Sequence, residues 1–338
     1  MSDIEKISKQ AQSFYQDNPL IILGSGASIA FGMSGMPALS QHLTKDISVD
    51  DLPTKEQELW SDFCQILDGG LDLESALHQI TLSPEITNRV IVSTWGLLAP
   101  EDLDVFKQSI NDPNLFALGK LFKHMLRSTQ AELDLVTTNY DRLAEYACEQ
   151  ENIHHYTGFS HGFSRVQVDK NYLKCSRQVN IWKVHGSLDW FTDPKGVILA
   201  LSNVDKIPDG LTPLIVTPGV EKYRSTHADP YRSTIHKSDD IIDKSKTYLC
   251  IGFGFNDDHI QEKLVNRCAK EEAQIIVVTH KLSDAAKEFL FKGGVSNYLA
   301  IESGNSANES IIYSSVLDTE FEVEADHWSL NGFLKLIF

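Results

Sequence analysis

Three short stretches of the chain place residues that could do chemistry on a nucleotide. Thr138, Asn139 and Asp141 stand at the end of the apolar run LDLVTTN, residues 133 to 139. An amide at such a place can exchange hydrogen bonds with ribose hydroxyls or hold a water, and a carboxylate can grip a ribose diol. His185 and Gly186 end the run VNIWKVHG, residues 179 to 186. An imidazole with an ordinary pKa of about 6.5 suits proton transfer at neutral pH. Gly252, Phe253 and Gly254 end YLCIGFG, residues 248 to 254, and Asn256-Asp257-Asp258 follow. Their backbone amides could cradle a phosphate, and an acidic group, Asp258, could hold a ribose hydroxyl. Each stretch also has a plain structural reading. Asp141 could cap the next helix, His185 could be a satisfied core imidazole, and 252–258 could be a turn before a capped helix.

A fourth stretch, LIILGSGASIAFG at residues 20 to 32, joins a buried strand to Gly24, Ser25, Gly26, Ala27 and Ser28. Glycines permit a tight turn and close backbone approach, and a helix opening there presents N–H groups to a pyrophosphate. The third small position is Ser28 or Ile29 where the dinucleotide fingerprint GxGxxG has glycine. An ordinary strand-to-helix turn is the alternative.

The elements that must position these residues follow an alternating pattern. Residues 3 to 16 have helical spacing, with Ser2 or Asp3 as the cap, and LIIL at 20 to 23 reads as a strand buried on both faces. From about 37 to 130 the periodicity is helical, punctuated by Pro53, Gly69-Gly70, Pro84, Pro100 and Pro113. This block reads as a subdomain or lid inserted into an α/β framework. Strands are then expected at 133–139, 179–186, 213–218, 248–254, 274–279 and, as a terminal strand, 296–301. Helices are expected at 140–150, 233–246, 256–270 and 283–291. Apolar strands alternating with amphipathic helices imply a Rossmann-like parallel sheet covered on both faces. Residues 1 to 338 are read as one domain: the helical insertion at 37–130, the rest of the core at 131–300, and a C-terminal extension at 301–338. The stretch 301 to 326 is polar at first and then strand-like.

Composition excludes several classes. A net charge of -17 argues against gripping nucleic acid through its phosphates. No window approaches the roughly 20 apolar residues of a membrane span, and the polar start MSDIEKISKQAQSFYQ is no export signal. Cys64, Cys148, Cys175, Cys250 and Cys268 are scattered without CxxC spacing, so neither a zinc knuckle nor a disulfide framework is expected. A reducing cytoplasm is the simplest compartment.

Taken in order, LGSGAS, TTNYD, a strand ending in HG, and IGFGFNDD resemble the sirtuin fold over about residues 18 to 300. In particular they resemble the sirtuin-like NAD hydrolases of bacterial anti-phage defence. The resemblance implies that Gly24, Ser25, Gly26, Ala27 and Ser28 line the NAD phosphates. It sets Thr138, Asn139 and Asp141 beside the nicotinamide ribose, makes His185 the family's histidine, and turns Gly252, Phe253, Gly254 and Asp258 toward the adenosine side. Two departures weaken a deacylase reading: no paired CxxC for zinc, and MSGMPALS where peptide-deacylating sirtuins carry an Arg-containing segment.

The activity implied is hydrolysis of NAD to nicotinamide and ADP-ribose, with NAD as substrate and no metal. Asn139 would orient ribose and water, His185 would act as base, and Asp141 would position the ribose. Such an activity needs gating, so a homo-oligomer or a partner such as a HerA-type ring ATPase is expected, with no direct nucleic-acid or membrane contact. An NAD-dependent deacylase or ADP-ribosyltransferase, and a non-catalytic NAD or ADP-ribose sensor, stay open. A Rossmann oxidoreductase is disfavoured by the missing third glycine.

Overall fold

The computed structural model describes residues 2–126, 130–173, 175–217 and 229–338. Its strands are β1 (Leu20–Leu23), β2 (Glu132–Thr137), β3 (His154–Tyr156), β4 (Ser164–Val166), β5 (Gln178–Lys183), β6 (Gly186–Thr192), β7 (Ile198–Leu201), β8 (Thr212–Ile215), β9 (Thr247–Ile251), β10 (Gln274–Val278), β11 (Tyr298–Ser303), β12 (Ser310–Ser314) and β13 (Phe321–Val323). Nine form one sheet in the order β13-β12-β11-β10-β9-β1-β2-β5-β3. From β11 to β3 every pairing is parallel, while β12 and β13 add antiparallel at the edge.

The central strands form because they are apolar on both faces. All four residues of β1 and all five of β9 are buried. Side chains alternate across the sheet: Ile21 and Leu23 join one core, Leu20 and Ile22 the other. On the first face lie α1 (Asp3–Gln16), the second half of α6 (Pro84–Asn111), α7 (Ala117–Met125), α8 (Leu143–Gln150) and the C-terminal helix Leu330–Ile337. On the second lie Tyr231–Lys244, Asp258–Val265 with its continuation to Lys270, and Asp284–Lys287 with its continuation to Lys292. Ser2 proves to be the cap of α1, in a reciprocal capping box with Glu5.

Register decides where the site must be. Leu23 lies beside Thr137 on one side and Ile251 on the other, and Thr137 lies beside Lys183. The chain therefore leaves β1, β2, β5 and β9 at one level, along one carboxyl edge. From β1 it goes to β2 on one side and later returns to β9 on the other. That reversal is the switch point where open parallel sheets bind ligands.

Three strand expectations are corrected by the structure. The run PLIVTP at 213–218 does not join the parallel sheet: its described part forms β8, in a separate antiparallel sheet ordered β4-β7-β6-β8 (Pro218 lies outside the described residues). The 179–186 strand ends at Lys183, and a new strand of this second sheet starts at Gly186. The strand read at 296–301 is not terminal, because the β12–β13 hairpin continues the sheet beyond it.

Pro100, read as a break, lies inside the 28-residue α6. A proline there removes one N–H donor. Trp95, Leu98 and Ala99 before it and Asp102 and Val105 after it are all buried, so tertiary packing carries the helix through. Helices α3 (Met36–Asp46), α4 (Thr54–Asp68), α5 (Leu73–Gln79) and the start of α6 share a separate small core of Leu39, Leu43, Trp60, Phe63, Leu77 and Ile86. No helix among the described residues is long and apolar enough to cross a membrane.

Candidate functional site

The carboxyl edge opens on a cavity of about 170 Å³ lined by Ser25, Thr138, Asn139, Asp141, His185 and Phe253, among others. The four sequence stretches thus meet at one place. The helical block contributes as well: Met36 and Leu39 of α3, Glu74 of α5 and Leu98 of α6 line the same cavity.

Asn139 is nearly sealed, and its Nδ2 donates to Gly24 O and to Ser28 Oγ, both at 3.1 Å. Thr137 fixes the turn that delivers it, accepting from Asn139 N at 3.0 Å while donating to Leu23 O at 2.9 Å. Asn139 Oδ1 is buried with no protein partner. A buried amide oxygen without a partner is uncommon and costs about 1–3 kcal/mol, so it asks for a ligand or water.

His185 sits in the turn between β5 and β6. Its Nε2 is 2.7 Å from Asp257 Oδ2, and its Nδ1 is buried with no partner in the protein. It is therefore not an imidazole with both hydrogen bonds met by the core. When Nε2–H donates to the Asp257 carboxylate, Nδ1 carries a lone pair. Gly186 has φ +87, and a Cβ there would lie 2.1 Å from Leu214 O. Its openness serves the backbone of β8, and Val216 N, just past that strand, donates to the His185 carbonyl at 2.8 Å.

Asp141 is fully engaged within the protein. Oδ2 accepts from Ser28 Oγ at 2.7 Å and Oδ1 accepts from Leu143 N at 3.2 Å. Burial pushes its carboxyl above the usual carboxylate range, against the pull of the Lys183 ammonium. Its geometry suits holding Ser28, and through it Asn139, more than gripping a sugar. Beneath it Lys183, 1% exposed, donates to Asp141 O and lies 3.2 Å from Glu145. Burial lifts the Glu145 carboxyl to about 7.

The glycines are explained by one another. A Cβ on Gly24 would lie 2.5 Å from Gly252 O, and one on Gly252 would lie 2.1 Å from Ala27 N. Gly252 also has φ +57. The β1 and β9 turns are zipped together, Gly24 N to Ile251 O and Gly26 N to Gly252 O, each at 3.0 Å. Four of the five amides at this turn are not free to hold a phosphate: those of Gly24, Gly26, Ala27 and Ser28 all donate within the protein. The helix they open, α2 (Gly26–Ile29), is a single turn.

Gly26, Ala27 and Gly252 face a second cavity of about 260 Å³, which shares Ser28 with the first as a lining residue and reaches Thr279, His280 and Trp328. Gly254 lines the first cavity. Asp258 is exposed, begins its helix and lines neither cavity. Its neighbour Asp257 is the carboxylate that lines the first cavity, pairing with His185 and capping the helix by accepting from Ile260 N at 3.0 Å.

Sequence reasoning passed over Asp257 inside the Asn256-Asp257-Asp258 run, since a cap and a cleft residue read alike. It also missed Glu101, whose carboxylate accepts from Ser34 N at 2.8 Å and Ser34 Oγ at 2.6 Å. That pair pins the loop leading into α3 over the cavity.

Residues 134–294 match the model of a SIR2-like domain. Among solved structures, the chain is similar to a mutant Sir2 homologue in complex with 2′-O-acetyl ADP ribose, at 13% identity over 89% of this chain and 90% of that one, TM-score 0.46. It is also similar to a Sir2 homologue–NAD complex, at 12% identity over 88% and 87%, TM-score 0.46. No curated protein matches the sequence. The SIR2-like segment carries Asn139, Asp141, His185 and the Gly252–Asp258 turn, and the Gly24–Ser28 turn packs against it from outside the matched range.

Proposed function

We propose that this chain is an NAD+ glycohydrolase that cleaves NAD+ to nicotinamide and ADP-ribose at the β1/β2/β9 edge. One observation carries the reading. Asn139 Oδ1 and His185 Nδ1 are both buried, both lack a protein partner and both belong to residues lining one cavity. That cavity bears the carboxylates Glu74, Asp141 and Asp257 and, among the described residues, no Lys or Arg. Such a lining favours a cationic pyridinium and the positive charge that develops on ribose as the bond breaks.

In this reading the bond from ribose C1′ to the pyridinium nitrogen breaks with its electron pair going to nicotinamide, which leaves neutral. A water oxygen bonds to C1′ and its proton passes to His185 Nδ1. Asp257 holds the imidazole in the tautomer that accepts and stabilises the resulting imidazolium. Asn139 Oδ1 orients the water or a ribose hydroxyl. Asp141 and Ser28 hold Asn139 in place. Either cavity alone is smaller than the roughly 300–1,000 Å³ of common ligand sites, so the nicotinamide riboside half would take the first and the adenosine half the second, crossing at Ser28.

Such an enzyme would drain its host's NAD, so gating by self-assembly or by a ring ATPase of the HerA type, in anti-phage defence, belongs to the same proposal and rests on the sequence resemblance. Size-exclusion chromatography alone and with the genomic neighbour tests it; a monomer indifferent to that neighbour refutes the gating.

The activity itself is tested by mass spectrometry of NAD+ products, with and without that neighbour and an acetylated peptide. Free ADP-ribose supports the hydrolase. Acetylated ADP-ribose would make the chain a deacylase, and intact NAD+ that binds without turnover would make it a sensor.

A further inference from the structure

Away from the cleft, His154 of β3, His161 in the loop after it and Cys175 in the approach to β5 bring two imidazole nitrogens and a sulfur together. These three atoms lie within 4.8 Å of one another. The residues are spread as H-x6-H-x13-C, so no local motif marks them, and the fold alone assembles the cluster. We propose that His154, His161 and Cys175 form a zinc-binding site. The expectation of no metal rested on missing CxxC pairs, and this ligand set needs none.

The chemistry fits zinc more than other common cations. Thiolate and imidazole are the ligands zinc prefers, while magnesium and calcium want carboxylate and carbonyl oxygen. With Zn–N of about 2.0–2.1 Å and Zn–S of about 2.3 Å, tetrahedral ligand atoms sit about 3.4–3.6 Å apart. Closing from the present spacing needs small side-chain rotations. His154 and His161 are exposed and Cys175 is half-buried, so the imidazoles turn at little cost and the ion has an open path.

The thiol makes only a weak contact to Leu173 O, at 3.7 Å, which a metal bond would replace. On binding, the Sγ–H bond breaks, its proton goes to solvent and the sulfur pair bonds to the metal. Water takes the fourth position. The metal would clasp the outermost strand of the parallel sheet, β3, to the lead-in of β5, the strand that delivers His185.

Cobalt(II) and zinc(II) titrations of the untagged, metal-free full chain test this independently of any NAD chemistry. The expected result is one equivalent of Co2+ with tetrahedral d–d bands and a thiolate charge-transfer band, displaced by Zn2+, with a higher Tm when zinc is bound. Cys175→Ser should abolish the charge-transfer band and His161→Ala should abolish stoichiometric binding, with circular dichroism unchanged. Parent binding no tighter than that of these variants overturns the proposal. So does a spectrum that survives Cys175→Ser, since it would come from another thiol.

Discussion

At the residue scale, Asn139 Oδ1 and His185 Nδ1 are the two orphaned atoms that a ligand would satisfy. Asn139→Ala and His185→Ala should each lower NAD+ hydrolysis by about 10²–10⁴-fold, the usual worth of a positioned proton-transfer or orienting group. Far-UV circular dichroism should stay that of the parent with at most a modest drop in Tm, because each substitution removes only local side-chain hydrogen bonds, from Asn139 Nδ2 to Gly24 O and Ser28 Oγ or between His185 Nε2 and Asp257. Asp257→Asn is the sharper substitution. Asparagine keeps the helix cap to Ile260 N, yet removes the charge that sets the tautomer of His185. Stability should hold while kcat falls by about 100-fold or more and the pH–rate profile shifts. An unchanged pH profile would show that the pair is structural only.

The sequence made Asn139, His185 and the glycines legible because each ends an apolar run. It hid Asp257, whose cleft role depends on a histidine 72 residues away in the chain. For Asp141 it left a helix cap and a ribose contact both open: the bond from Leu143 N is the local one, and nothing local reveals that Ser28 Oγ takes the other oxygen.

At the element scale, the β1 and β9 turns can approach only as glycine. Gly252→Ala should cost about 2–4 kcal/mol, from the left-handed conformation and the overlap with Ala27 N. A large drop in Tm together with lost NAD+ turnover is the expected reading. A parent-like Tm would contradict the packing described.

Below the site, Arg165 and Asp189 form a buried ion pair. Burial alone would raise the Asp189 carboxyl, but Arg165, Arg142 and Lys183 outweigh it and hold it at about 2, below the ordinary 3.8. The depressed folded value means that its contribution is complete above pH 3.8 and lost as pH falls toward 2. Asp189→Asn should cost about 3–5 kcal/mol at neutral pH, by stranding a buried guanidinium. In urea melts the variant should also lose less stability than the parent between pH 4 and pH 2 (roughly the interval set by the two carboxyl values).

The parallel strands were readable because both their faces are apolar. The second sheet was not: β6, GSLDWFT, is almost wholly buried yet carries Asp189 and Ser187, so it breaks the apolar pattern. After the polar lead-in ESGNSANES the strand-like character was visible, but not that it would form the β12–β13 hairpin at the edge of the main sheet.

At the scale of the whole molecule, the helical block leans over the cavity, through Met36, Leu39 and Glu74, and is tied down by Ser34 and Glu101. Helical periodicity announced the block, but nothing in it announced which way it would face. If it covers the nucleotide, ADP-ribose should slow amide hydrogen exchange at 33–39 and around residue 74, as well as at the β1 and β9 turns. Protection confined to the turns would assign the block to assembly instead.

The most direct test is a crystal structure of the protein soaked with ADP-ribose. The distal ribose is expected within hydrogen-bond distance of Asn139 Oδ1 and His185 Nδ1, with the adenosine end in the second cavity toward Trp328. ADP-ribose bound elsewhere, or those two atoms satisfied by a shifted protein group, would contradict that expectation.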